Sequence, residues 1–227
     1  IIKVKEPQAQ ERKLLKPYHT LFTYLHLAPD LDQTNELLAS GATCIAYEMV
    51  RGTTGNLPLL NPMSEIAGRM SIQAGAHCLE KAQHGRGVLL SGVPGVSPAH
   101  VLILGAGVVG SNAAKIAIGM GARVTILDKS IAALKILDQL YGNRIQTIFS
   151  TKQAIQNLLP LVDLVIGAVL IPGAAAPKLI NRSDLSSMKK GSAIVDVAID
   201  QGGCFETSRP TTHQDPIFIV DDIVHYC

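Results

Sequence analysis

Gly105-Ala106-Gly107-Val108-Val109-Gly110 carries the glycine spacing of a turn that cradles phosphates. Gly105 permits a tight turn, Gly107 keeps a Cβ out of the path of a pyrophosphate, and Gly110 lets a helix pack closely on the preceding strand. The helix would begin at Val108 and Val109, whose unpaired N–H groups and partial positive charge suit phosphate oxygens. Asp128 stands roughly 18 residues past Gly110, near the spacing of an acid that accepts bonds from both adenosine ribose hydroxyls. A carboxylate there repels a 2′-phosphate, so the pattern predicts NAD rather than NADP, with the adjacent Lys129 as the one feature that tolerates NADP. The competing reading is a glycine turn with a capping aspartate.

A second set of residues could move protons. His26 and Asp200 each follow an apolar run, and Lys5 closes another. An imidazole titrates near neutral pH, with an ordinary value of about 6.5, and suits general acid–base work. Read alone, His26 is more often a packed or surface residue, and Lys5 a solvated strand-end lysine. Asp200 before Gln-Gly-Gly is ordinarily a turn residue that bonds nearby backbone. Asp196 competes with it, but mid-strand it reads as structural. The other histidines, at 19, 77, 84, 100, 213 and 225, show no metal-ligand spacing, and no metal site is expected.

The glycine turn needs a strand before it and a helix after it, and the sequence supplies both. Val101–Leu104 reads as a strand and Val108–Met120 as a helix; Arg123–Leu127 and Ile131–Tyr141 repeat the pattern. Arg144–Phe149, Asp163–Val169, Ala193–Ala198 and Ile217–Val220 are further strands, with helices near Lys152–Leu159 and Arg182–Met188. This alternation predicts α/β architecture, a doubly wound parallel-sheet Rossmann domain. Upstream, Ile1–Val4, Leu21–Leu25 and Thr43–Tyr47 read as strands, Gln8–Leu15 and Asp30–Ser40 as helices: part of a second, Rossmann-like substrate domain. The turn-rich Arg51–Pro58 places a boundary near residue 59, giving domains 1–59 and 60–227. Ser64 is expected to cap a linking helix, and His84–Pro98 to be loop or hairpin.

The bulk numbers narrow the class. With 227 residues, 47% hydrophobic, the chain suits one large or two modest domains with ample core. Lys and Arg number 20 against 18 Asp and Glu, a near balance that gathers neither nucleic acid nor anionic lipid. Its apolar runs are strand length, well short of a membrane span. The four cysteines are widely and irregularly spaced, which reads as reduced thiols in a cytoplasmic protein. The chain starts at Ile1, with no signal sequence to read, and stops within the apolar run Ile223–Cys227; it reads as a fragment cut at both ends.

Several segments resemble alanine dehydrogenases: Lys3-Val4-Lys5-Glu6-Pro7, Leu21-Phe22-Thr23-Tyr24-Leu25-His26-Leu27 and Pro62-Met63-Ser64-Glu65-Ile66-Ala67-Gly68-Arg69. Gly92-Val93-Pro94-Gly95-Val96, the segment Gly167 to Gly173, Val195 to Gly203, and Ser208-Arg209-Pro210-Thr211-Thr212 extend the likeness over the whole chain in order. The resemblance implies NAD-dependent interconversion of L-alanine with pyruvate and ammonia. By motif it implies that Lys5 contacts substrate, His26 is the general acid/base, and Asp200 lies beside the reacting carbon and the nicotinamide. It places Ser64, Ser150, Val169, Leu170 and Arg209 near the cofactor. It further implies a homo-hexamer, and puts the substrate-carboxylate arginine and a closing C-terminal segment outside this sequence. One departure is Ala133, where the family often has lysine. Two other readings stay open: a transhydrogenase alpha-subunit-like domain, and a non-catalytic NAD-binding or assembly module.

Overall fold

The computed structural model describes residues 1–171 and 174–227. Pro172 and Gly173, the end of one segment quoted above, lie outside the described residues. The chain divides into two units. The first contains Ile1–Met63, and it also takes in Ile171–Ala175 and Asp200–Gly202. The second contains Ser64–Leu170, Ala176–Ile199 and Gly203–Cys227. The single boundary near residue 59 thus becomes a boundary with two later returns.

In the first unit, β1 (Thr20–Thr23) and β2 (Thr43–Ala46) run parallel, Thr20 opposite Thr43. A short helix, α1 (Ala9–Arg12), precedes them, covering only part of the Gln8–Leu15 span that the sequence predicts. Between the strands lies α2 (Leu31–Ser40), capped by Asp30, whose carboxylate accepts the Gln33 N–H at 2.9 Å. Gly41 ends it at φ 67°, a left-handed turn that glycine adopts without strain. Leu15, Leu21, Leu25 and Leu37 form the core. Ile1–Val4 is not a strand: only Ile2 bridges to Phe22. Its apolar side chains are exposed, so β propensity there has nothing to pack against. β1 also stops before Leu25 and His26, because their N–H groups turn to the Glu48 carboxylate instead of a ladder.

In the second unit, seven strands stand in the order β5-β4-β3-β6-β7-β9-β8. They are β3 (His100–Leu104), β4 (Arg123–Asp128), β5 (Ile145–Phe149), β6 (Leu164–Gly167), β7 (Ala193–Asp196), β8 (Ile217–Val220) and β9 (Ile223–Tyr226). All neighbours pair in parallel except the edge pair β8–β9, which is antiparallel. Successive side chains feed opposite faces: Val101 and Ile103 enter one core cluster, Leu102 and Leu104 the other. That is why the strands read as unbroken apolar runs. The helices are α3 (Asn61–Cys78), α4 (Val108–Gly119), α5 (Ile131–Tyr141) and α6 (Lys152–Leu158). Ser130 caps α5 and Thr151 caps α6 by accepting the N–H groups of Ala133 and Ala154.

Two helix expectations change. Ser64 does not cap α3, which starts at Asn61. Pro62 falls in the first turn, where a missing N–H costs nothing. Arg182–Met188 is instead a 3-10 turn over Arg182–Ser187, with the Asp184 carboxylate accepting the Asn181 N–H at 2.9 Å. Only Leu185 is buried there, so no apolar face exists to support a full helix.

Two imidazoles are buried in this unit. His100 Nε2 lies 2.8 Å from Thr125 Oγ1, and His225 Nε2 lies 2.8 Å from Thr207 Oγ1. Burial pushes both below the ordinary value of 6.5. Each therefore stabilises the fold above that ordinary value, where it is neutral in both states. The contribution is lost as pH falls through the lower folded value, because the unfolded chain takes up the proton first. We expect Tm to fall on acidification from about pH 7 to 5, and a His225→Gln variant to show a shallower fall. Parallel Tm–pH curves for the two proteins would refute this. Burial also raises the thiols, Cys78 to about 12 and Cys227 to about 11. All four cysteines are unbonded.

Candidate functional site

The second unit gathers the glycine turn and its partners along the carboxyl edge of adjacent strands. Gly105 follows β3, Asp128 ends β4, Ser150 follows β5 and Val169 follows β6, and these four strands are neighbours. That edge of an open α/β sheet is where ligands bind, at the point where strand order reverses. The three glycines have different reasons to be glycine. Gly105 sits at φ +107°, and a Cβ there would lie 2.6 Å from the Ala168 carbonyl oxygen. A Cβ on Gly110 would lie 1.7 Å from the Gly105 carbonyl oxygen. Gly107 has an ordinary φ of −73°, and its Cβ would meet nothing within 4 Å. The fold makes no demand for glycine at 107; a ligand approaching the N-terminus of α4 would. Gly107 caps α4 without a side chain, so the first N–H groups of the helix are left for such a ligand.

Asp128 fits both readings of it. Its Oδ2 accepts the Ala106 N–H at 2.5 Å and its Oδ1 accepts the Ser130 N–H at 2.7 Å. The aspartate therefore braces the glycine turn, and each oxygen keeps a second lone pair for a hydroxyl. Ser150 donates its backbone N–H to the Asp128 carbonyl at 2.9 Å. Val169 is half-buried and Leu170 exposed. Ser64 is half-buried in the first turns of α3. Arg209 lies with its guanidinium 4.3 Å over the Phe218 ring. Asp196, the rival acid, is buried at the end of β7; it accepts N–H bonds from Ala198 at 3.1 Å and Cys204 at 2.8 Å. It shapes the turn rather than facing a ligand.

Sequence reasoning gave Gly68 no role. A Cβ there would lie 2.2 Å from the Val109 carbonyl oxygen, so glycine lets α3 touch the first turn of α4. Arg69 Nε donates to Asn112 Oδ1 at 3.0 Å and ties the same helices together.

The first unit brings His26 and Asp200 together across most of the chain length. His26 Nδ1 is 3.5 Å from Asp200 Oδ2. Its backbone is left-handed, φ +48°, and the Tyr24 ring stacks parallel to the imidazole at 5.8 Å. Holding a histidine in this conformation needs support, which Glu48 supplies. Its Oε1 accepts N–H bonds from His26 at 2.7 Å and from Leu25 at 3.2 Å. Glu48 was missed in the sequence; the only available signal was an acid just past the end of β2. Lys5 is exposed and pairs with Glu6 at 2.7 Å. Burial acts to raise the Glu6 carboxyl, but the Lys5 bond and charge, with the charge at His26, bring it below its ordinary value. Next to His26 is a cavity of about 190 Å³, bounded by Glu48 and Gln201 with apolar walls of Leu27, Pro29 and Met49.

Comparison with known proteins bears on both units. Residues 1–67 match the family model "Alanine dehydrogenase/PNT, N-terminal domain", and residues 71–227 match "Alanine dehydrogenase/PNT, C-terminal domain". Over its full length the chain is 63% identical to an alanine dehydrogenase of Halomonas elongata and 54% identical to one of Mycolicibacterium smegmatis. It spans 61% of the length of each. A solved L-alanine dehydrogenase superposes with a TM-score of 0.86 at 51% identity, over 99% of this chain and 62% of that one. A transhydrogenase from Sinorhizobium meliloti superposes with a TM-score of 0.77 at 27% identity, over 100% of this chain and 65% of that one.

Proposed function

This chain belongs to the alanine dehydrogenase/PNT family, and from that membership we propose that the protein oxidatively deaminates L-alanine to pyruvate and ammonia, reversibly, with NAD. The observation that carries this reading is the approach of His26 to Asp200, a proton-handling pair within one unit. A transhydrogenase-like reading explains the glycine turn but gives that pair no task.

The residues present fit NAD. The open space beside Gly107, the free N–H groups at the start of α4 and the spare lone pairs of Asp128 suit a pyrophosphate and a ribose. Gly105, Gly110, Val108 and Val109 would shape that contact, with Ser64, Ser150, Val169, Leu170 and Arg209 around it. Bound NAD supplies the acceptor for the hydrogen leaving the alanine Cα.

The chain's own groups handle protons and charge. Loss of that hydrogen leaves an iminium on the substrate, to which water adds; ammonia then departs. His26 takes a proton from the attacking water and returns one to the leaving amine. Asp200, a carboxylate near the imidazole, steadies the positive charge on either partner. Lys5 holds the substrate carboxylate as a point charge.

The cytoplasmic location and homo-hexameric assembly implied by the resemblance belong to the same reading. Among the described residues no helix is long and apolar enough to cross a membrane. Light scattering would test the assembly. The decisive experiment for the activity mixes the full-length protein with pyruvate, ammonium and NADH. Alanine should form in step with NADH oxidation; no alanine with all three present would overturn the assignment.

A further inference from the structure

The cavity beside His26 has a chemistry of its own. Its polar lining is acceptor-rich. Gln201 is 8% exposed, and its Oε1 has no hydrogen-bond partner. Glu48 reaches the same cavity; its Oε1 is engaged by the His26 N–H at 2.7 Å, while Oε2 meets only the Leu25 N–H at 3.3 Å. The His26 Nδ1 is likewise buried without a hydrogen bond of its own. Among the described lining residues there is no lysine or arginine. The remaining walls are Leu27, Ala28, Pro29, Ala46, Met49 and Ala174.

Those facts select a ligand class. An orphaned buried oxygen is destabilising unless something donates to it. A carboxylate-bearing ligand would bring a second negative charge against the Glu48 carboxylate. A species with donors on every side and a positive charge satisfies both groups. The volume of about 190 Å³ admits it with a few waters. We propose that this cavity is the ammonium subsite, where the ion is held by Gln201 Oε1 and Glu48 Oε2 beside the proton-transferring His26. The proposal rests on the alanine dehydrogenase reading, since that reaction releases and consumes ammonia. It deepens that reading by naming Gln201 and Glu48 as the residues that recognise the nitrogen.

The test has two arms, both on the full-length protein. In the kinetic arm, ammonium chloride is varied at saturating pyruvate and NADH. Gln201→Leu removes the acceptor and should raise the KM for ammonium about 10-fold or more, the usual cost of one hydrogen bond to a charged group, with the KM for pyruvate within twofold. Gln201→Glu keeps an acceptor and should keep a low ammonium KM. An unchanged ammonium KM in Gln201→Leu, or an equal rise for pyruvate, would overturn the proposal. In the thermal arm, ammonium chloride is compared with sodium chloride at equal ionic strength. It should raise the wild-type Tm by a few degrees more, and this excess should vanish in Gln201→Leu. No excess in the wild type counts against the subsite. If the protein proves unable to aminate pyruvate, the functional reading fails while the thermal arm still decides the ammonium site. Gln201→Asn, which withdraws the oxygen by one methylene, serves both arms should the leucine variant not fold.

Discussion

Replacing His26 by asparagine should lower kcat for pyruvate amination by about 10²–10⁴-fold, the usual worth of a positioned general acid–base, while Tm stays nearly constant. Asparagine is the better probe because residue 26 is left-handed, φ +48°. Asparagine tolerates that region, whereas alanine adds strain of about 1 kcal/mol. The backbone N–H that donates to Glu48 at 2.7 Å survives the change. The fold around the site is therefore preserved while the imidazole is removed. The KM for NADH should hardly move, since His26 belongs to the first unit and the glycine turn to the second. A variant with kcat within twofold of wild type would remove His26 from the chemistry. Loss of kcat accompanied by a large fall in Tm would mean that the imidazole was structural.

Gly107→Ala should separate binding from folding more sharply still. Its Cβ would enter open space at a φ of −73° that alanine adopts freely. The unliganded protein should be as stable as wild type, or slightly more so, because alanine restricts the unfolded chain. The methyl group would nevertheless stand between α4 and a pyrophosphate. Loss of one or two charge-assisted bonds there should weaken NAD about 10- to 100-fold. Gly110→Ala is the control: its Cβ falls 1.7 Å from the Gly105 carbonyl oxygen. It should lower Tm by several degrees before any ligand is added. Titration of NAD by fluorescence and a melting curve for each variant decide the matter. Equal NAD affinity in Gly107→Ala and wild type would mean that the turn serves the fold alone.

The second unit was the more legible. Its central strands β3, β6 and β7 lie buried throughout, and its helices carry side-chain caps at Ser130 and Thr151, so local pattern and tertiary environment agree. The alternation of strands and helices announces the parallel pairing of the sheet. The first unit was harder. Exposed Ile1, Ile2 and Val4 mimic a buried strand, and Pro62 inside a first helical turn mimics a stop. Glu48 carries no motif; its carboxylate acts on backbone N–H groups 22 and 23 residues away.

What the residues determined unaided was the glycine turn, the aspartate at the end of the next strand, and the class of sheet that holds them. These depend on interactions within a few tens of residues: turn geometry, helix termini and side-chain alternation. Only the tertiary structure decided which distant groups share a wall. Asp200 leaves the sheet unit to stand 3.5 Å from His26, and Gln201 and Glu48 close one cavity. Such meetings are set by where whole elements pack, and no spacing along the chain encodes them.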